Sequence, residues 1–184
     1  MKATMLRPGL ACRMDGKLYV ITKFEHRTPG NLRAFIQIKI KDVLSGNQLE
    51  KRLGSGDEID VVDLDRRPME FLYADNTGLT FMDNETYDQM TLSEEFVGEQ
   101  KYYLKPNTGV IMLVHDAKPV LIEMPSSVDL KVVDTPPGIK GATVTNQLKE
   151  ATMETGLKTR VPAFIEIGET LKISTEDGSY MSRA

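Results

Sequence analysis

Apolar residues in this chain recur at every second position, a period that suits strands and not amphipathic helices. From Phe35 to Lys41, Ile36, Ile38 and Ile40 alternate with Phe35, Gln37, Lys39 and Lys41, giving one apolar face and one largely polar, basic face. Leu18, Val20 and Thr22 alternate with Tyr19, Ile21 and Lys23 in the same way. Turn signals separate such runs: Asp15-Gly16, Pro29-Gly30, Ser45 to Asn47, Gly54 to Gly56, Asn76 to Gly78, Asn107 to Gly109, Pro136 to Gly138 and Asp177-Gly178. Short strands punctuated this often predict small sandwiches or barrels.

Further strands are expected at 69–73, 79–83, 110–114, 120–124, 128–133, 164–167 and 170–174. One short helix is expected over 93–98, with Ser93 as its cap and Glu94 and Glu95 at the positive end of its dipole. A charged stretch from Val62 to Pro68 and a Pro/Ser break at 125–127 divide the strand clusters. Cutting there predicts three domains of about 60 residues, 1–64, 65–126 and 127–184, near the lower limit for an independent core. Closed barrels suit that size because closure removes exposed sheet edges.

The charge is unevenly placed. Net charge is −4, which alone argues against a nucleic-acid binder. Residues 1–45, however, hold nine Lys/Arg against three Asp/Glu, about +6, while the rest holds 14 against 24, about −10. Such asymmetry fits a protein that points one end at RNA; a solvated, Lys-rich strand face fits it equally well. No apolar run is long enough to cross a bilayer, and Met1 to Leu10 lacks the apolar core of a signal peptide. The lone Cys12 excludes an internal disulfide and suits a reducing cytoplasm, where a small buried hydrophobe is its expected role.

Catalytic and metal-binding patterns are missing from the sequence. His26 and His115 have no metal-ligand spacing with each other or with Cys12. Gly54 to Gly56 leads into acidic residues, unlike a phosphate loop, and Asp60, Asp63 and Asp65 read as a solvated linker. No enzyme, cofactor or metal is therefore expected. One loop is distinctive: Thr28 to Arg33 joins two long strands, one expected to end near Glu25 and the other to begin near Arg33. Pro29-Gly30-Asn31 is turn chemistry, and Arg27 and Arg33 flank the tip. Its guanidinium groups suit RNA phosphates or stacked bases, although an ordinary hairpin turn is the simpler account of the residues alone.

The order of motifs resembles bacterial elongation factor P over essentially the whole chain. The match runs through Arg7 to Leu10, Pro29 to Phe35, Phe81 to Gln89, Val133 to Gly141, Lys149 to Ala151, Thr155-Gly156, Val161-Pro162, Ile167 to Glu169 and Tyr180 to Arg183. The resemblance implies an all-β chain: an SH3-like (KOW-like) first domain and two OB-fold domains in an L-shaped, tRNA-like arrangement. It implies a monomeric cytoplasmic factor that binds the 70S ribosome between the peptidyl and exit sites, touching rRNA and peptidyl-tRNA. There it stimulates peptide-bond formation when the ribosome stalls at consecutive prolines. The residues it assigns to the hairpin contact are Arg27, Pro29, Gly30, Asn31, Leu32 and Arg33. In the last domain it assigns RNA contacts to Gly141, Ala142, Thr143, Tyr180 and Arg183.

Two positions depart from the family pattern. Asn31 stands where many members carry a modified Lys or Arg, and an amide accepts neither lysylation of an amine nor glycosylation of a guanidinium. Gly141-Ala142-Thr143 replaces a Gly-Asp-Thr loop, so a carboxylate is missing there. The alternatives are an elongation-factor-P-like paralogue and, from another class, a generic OB-fold module for single-stranded nucleic acid. Against the second stand an aromatic content of 7% and the absence of Trp.

Overall fold

The computed structural model describes residues 1–30, 32–138 and 147–184. These residues form three five-stranded sheets. The first is built from β1 (Ala11–Met14), β2 (Lys17–Arg27), β3 (Phe35–Asp42), β4 (Gln48–Gly54) and β5 (Asp60–Val62), in the order β4-β3-β2-β1-β5. The second uses β6 (Asp65–Asp75), β7 (Gly78–Asp83), β8 (Gln89–Leu92), β9 (Gly109–His115) and β10 (Lys118–Glu123), in the order β10-β9-β6-β7-β8. The third uses β11 (Ser127–Asp134), β12 (Leu148–Met153), β13 (Lys158–Pro162), β14 (Thr170–Ser174) and β15 (Tyr180–Arg183), in the order β13-β12-β11-β14-β15. Helical structure among the described residues is confined to short pieces, including α1 (Glu94–Val97) and the 3₁₀ segment Gly98–Tyr103. The chain divides into two compact units, Met1–Arg67 with Met112–Glu123, and Pro68–Ile111 with Met124–Ala184.

In the first unit the alternation dictates the core. Ile36, Ile38 and Ile40 of β3 are fully buried, with Cys12, Tyr19, Ile21 and Leu53 from neighbouring strands. Burying each such isoleucine contributes about 1.5–3 kcal/mol. The opposite face of β1 and β2 is covered too: Ala11 and Val20 pack against Val120 of β10. That is why Tyr19, Val20 and Ile21 are all buried, where alternation alone predicts one exposed side. Asp15 and Gly16, both at positive φ, close the β1–β2 hairpin as a two-residue turn of the hand that matches strand twist. Arg66 donates twice to Glu123, at 3.0 and 2.5 Å. Gly9 lies so near that a Cβ there would sit 2.6 Å from the Glu123 Oε1.

In the second unit β6, β7 and β8 pair antiparallel, with Phe71 and Phe81 in tilted contact at 5.5 Å between ring centroids. Ser93 caps α1 by accepting from the Phe96 N–H, as the sequence predicts, and Gly98 ends it at positive φ. The third sheet is built on Leu130, Val132, Met153, Val161, Ile165, Leu171 and Ile173, with Tyr103 packed against this cluster. Thr155 Oγ1 donates to the Tyr102 carbonyl, and Thr175 Oγ1 to that of Pro125.

Three expectations need correction. Residues 164–167 are not a strand: Ile165 alone is buried, and Phe164 and Ile167 are exposed in the turns between β13 and β14. The acidic stretch read as a linker is largely paired backbone, since Asp60 lies in β5 and Asp65 in β6, where Arg67 Nε donates to it at 2.8 Å. The hairpin strands are displaced from expectation: the first runs further, to Arg27, and the second begins later, at Phe35 instead of near Arg33.

Candidate nucleic-acid interface

The β2–β3 hairpin is held in register from Tyr19↔Asp42 to Arg27↔Phe35, and β4 continues the ladder to Phe35↔Gly54. Its apolar face is anchored in the core, so its polar face and tip project from a fixed base. At the tip Leu32 N–H donates to the Pro29 carbonyl at 2.8 Å, and Leu32 itself is 72% exposed. Gly30 takes positive φ there, and a Cβ would meet nothing within 4 Å. Arg27 ends β2, and Arg33 is exposed at the return of the loop. Asn31 lies outside the described residues.

The polar face carries a lattice of ion pairs. Glu25 accepts from Lys23 Nζ at 2.7 Å and from Arg27 Nε and Nη2 at 3.0 and 2.7 Å. The hydrogen bond from Lys23, then that from Arg27, pulls the Glu25 carboxyl down to about 2. One row along, Glu50 accepts from Lys39 Nζ at 3.1 Å and Gln37 Nε2 at 3.0 Å, and Lys39 chiefly lowers its carboxyl as well. Lys23, Arg27 and Lys39 are thus neutralised locally, and Arg27 keeps one guanidinium nitrogen, Nη1, outside the pair. Arg33 differs: among the described residues it has no ion-pair or hydrogen-bond partner. Such a charge is free to meet a phosphate without first losing a carboxylate.

Sequence reasoning overlooked a second cation beside it. Arg52 on β4 lies over the Phe35 ring, its guanidinium carbon 3.7 Å from the centroid. The segment Gln48–Gly54 has too few apolar residues to register as a strand, since Leu53 is its one buried side chain. The diagonal placement of Arg52 and Phe35 is visible once the β3–β4 register is known.

On the third sheet, Tyr180 pairs with Ile173 and packs half-buried against the core, while Arg183 pairs with Leu171. Arg183 gives Nε and Nη2 to Glu169 at 2.8 and 3.3 Å and lies 4.9 Å over Phe164. Nearby is an open concavity of about 800 Å³ bordered by Pro136, Pro137, Phe164 and Ile167. Gly141, Ala142 and Thr143 lie outside the described residues, so the structure brings Tyr180 and Arg183 onto one strand and leaves that loop aside.

Cys12 is fully buried, and burial pushes its thiol up to about 11, with Asp60 adding to the shift and Lys51 opposing it. The described residues contain no cluster of three or more His, Cys, Asp or Glu able to hold a metal ion. No helix among them is long and apolar enough to cross a membrane.

Three family models match in succession: the elongation factor P KOW-like domain over residues 2–59, the elongation factor P OB domain over 64–122 and the elongation factor P C-terminal domain over 128–183. Elongation factor P of Acidobacterium capsulatum is 44% identical over 99% of this chain and 98% of its own length. The chain belongs to the elongation factor P family. Elongation factor P of Chloroflexus aggregans is also 44% identical, over 97% of this chain and 95% of its own. That of Bdellovibrio bacteriovorus is 44% identical over 96% and 94%. A solved structure, eukaryotic translation initiation factor 5A from Methanococcus jannaschii, is 19% identical and covers 67% of this chain and 93% of its own, with a TM-score of 0.42. Family membership makes this chain a translation elongation factor, with the KOW-like and OB architecture of elongation factor P.

Proposed function

We propose that this elongation factor P family member binds the ribosome between the peptidyl and exit sites and relieves stalling at consecutive prolines. In this reading the chain folds as three domains, 1–64, 65–126 and 127–184, and acts as a cytoplasmic monomer with no catalytic group of its own. The ribosome supplies the chemistry. The factor positions peptidyl-tRNA so that less orientational freedom is lost on reaching the transition state, a contribution that reaches several kcal/mol when reacting groups are well oriented.

The observation that carries the reading is Arg33, a cation without a carboxylate at the tip of a core-anchored hairpin, in a chain matched to the family along nearly its full length. Arg27, Pro29, Gly30, Asn31, Leu32 and Arg33 form the surface that meets rRNA and the acceptor end of peptidyl-tRNA. Arg33 supplies the charge that a modified Lys or Arg provides elsewhere in the family, and Asn31 works unmodified. In the last domain Gly141, Ala142 and Thr143 approach messenger RNA. Tyr180 and Arg183 contact tRNA, Arg183 through the guanidinium nitrogen that Glu169 leaves open.

The test is co-sedimentation with ribosomes, followed by translation of a consecutive-proline reporter in an extract depleted of its own factor. The reading expects unmodified protein to bind and to relieve the stall. Binding without relief would move the assignment to the paralogue group, and failure to bind would overturn it.

A further inference from the structure

We propose that Arg52 and Arg33 form a seat for one unpaired RNA nucleotide beside the tip of the β2–β3 hairpin. The base stacks on the outer face of the Arg52 guanidinium, and its phosphate meets Arg33. The inference rests on the reading that this end of the molecule meets RNA, and it adds a residue and a binding mode to the hairpin tip.

The geometry begins with the Arg52–Phe35 stack. The guanidinium carbon lies 3.7 Å over the ring centroid and Arg52 is exposed, so the side of this flat, cationic group away from the ring is open to solvent. Unpaired RNA bases are bound by stacking on such planes, and a guanidinium already fixed on a ring loses little freedom when a base covers it. A lysine ammonium has no such plane. Arg52 and Arg33 line one open concavity of about 570 Å³, roomy enough for a nucleotide. They are the charged residues among those that line it, and no carboxylate joins them there.

Contrast with the adjacent rows sharpens the assignment. Lys23, Arg27 and Lys39 share the same polar face, and each is tied to Glu25 or Glu50. Arg52 and Arg33 have no acidic partner among the described residues, so the face presents its unneutralised charge at this one end. The wall opposite is shaped by Ser55, whose hydroxyl donates to the Ala34 carbonyl at 3.0 Å and ties the loop's return to the end of β4. At Gly56 a Cβ would meet nothing within 4 Å, leaving the backbone open to an approaching ribose or phosphate. Asp57, the nearest carboxylate along the chain, is turned to the Gly54 N–H, which donates to it at 2.8 Å.

The experiment uses the full chain and a short labelled single-stranded RNA, with affinity read by fluorescence anisotropy and location by amide chemical shifts. Arg52→Ala, Arg52→Lys and Arg33→Ala are compared with Arg160→Ala, an exposed arginine on β13, and circular dichroism checks that each variant is folded. The seat predicts amide shifts at Arg33, Ser55 and Gly56. It predicts about tenfold weaker binding for both Arg52 variants, because stacking on a plane is lost in each, and little change for Arg160→Ala. Wild-type affinity in Arg52→Lys would reduce the site to a point charge and overturn the proposal, as would shifts mapping elsewhere or no binding by the wild-type chain. The consecutive-proline reporter separates this result from the broader reading. Stall relief without Arg52-dependent RNA binding removes the seat and leaves the function, and the reverse outcome removes the function and leaves the seat.

Discussion

Among the described residues arginine lies over phenylalanine on Phe24, Phe35 and Phe164, and the last two contacts differ in their surroundings. On β4, Arg52 sits 3.7 Å over Phe35 with no carboxylate among the described residues. On β15, Arg183 sits 4.9 Å over Phe164 and gives two nitrogens to Glu169. The attraction between cation and ring is of one kind in both, about 0.5–1 kcal/mol at exposed sites. The carboxylate makes the difference. Arg183 serves the closing strand first, tying β15 to the turn before β14, and an RNA phosphate must share it with Glu169. Arg52 and its neighbour Arg33 carry charge that nothing nearby has neutralised. An arginine therefore reads as a binding group from its partners more than from its position in a motif.

The comparison can be broken most severely at the cores beneath the two sites. Ile38→Ala and Leu130→Ala each empty a fully buried position and are expected to cost about 2–5 kcal/mol. Amide exchange should quicken across β2–β4 in the first variant and across β11–β14 in the second, each leaving the other sheet protected. A smaller effect is expected from Glu169→Ala, which removes a partly exposed ion pair worth about 0.2–1 kcal/mol. It should loosen β15 in amide exchange while strengthening RNA binding at Arg183, making that site resemble the one at Arg52. Unchanged RNA affinity there would remove the carboxylate from the explanation.

Glu25→Gln should sharpen the contrast from the other side by freeing Arg27 and Lys23. RNA binding should then depend more steeply on salt, by about 0.7 in logarithmic slope for each phosphate of a single strand gained. The subtlest effect is the titration of Glu25 itself. Its folded pKa, about 2, lies below the ordinary 4.5, so the charged form is the one stabilised. The ion pairs with Lys23 and Arg27 should be complete above pH 4.5 and be lost as pH falls through 2. A carboxyl resonance of Glu25 titrating near 4.5 would show the lattice to be absent in solution.

Much of the scaffold was legible in the residues. Ile36, Ile38 and Ile40 announce a strand with one buried face, and Ser93 with Gly98 brackets the short helix. Val20 was harder, because its burial comes from Val120, exactly one hundred positions away in the chain, and local alternation has no access to such a partner. The β9–β10 turn was hidden for another reason: Asp116 and Ala117 both take positive φ, where glycine or asparagine is the usual sign. The strand expected at 164–167 failed because three apolar residues there split between one buried and two exposed side chains. Turn chemistry at Pro29 and Gly30 pointed to the hairpin tip. Arg52 stayed invisible, since its meaning depends on the diagonal neighbour Phe35 across a strand that the apolar pattern does not mark.

The most direct measurement is relief of consecutive-proline stalling in a factor-depleted extract by the unmodified wild-type chain, with Arg33→Ala and Arg160→Ala alongside. The account predicts full relief by the wild type and by Arg160→Ala, and loss of most relief in Arg33→Ala. Equal relief by Arg33→Ala, or ribosome binding by the wild type without any relief, would contradict it.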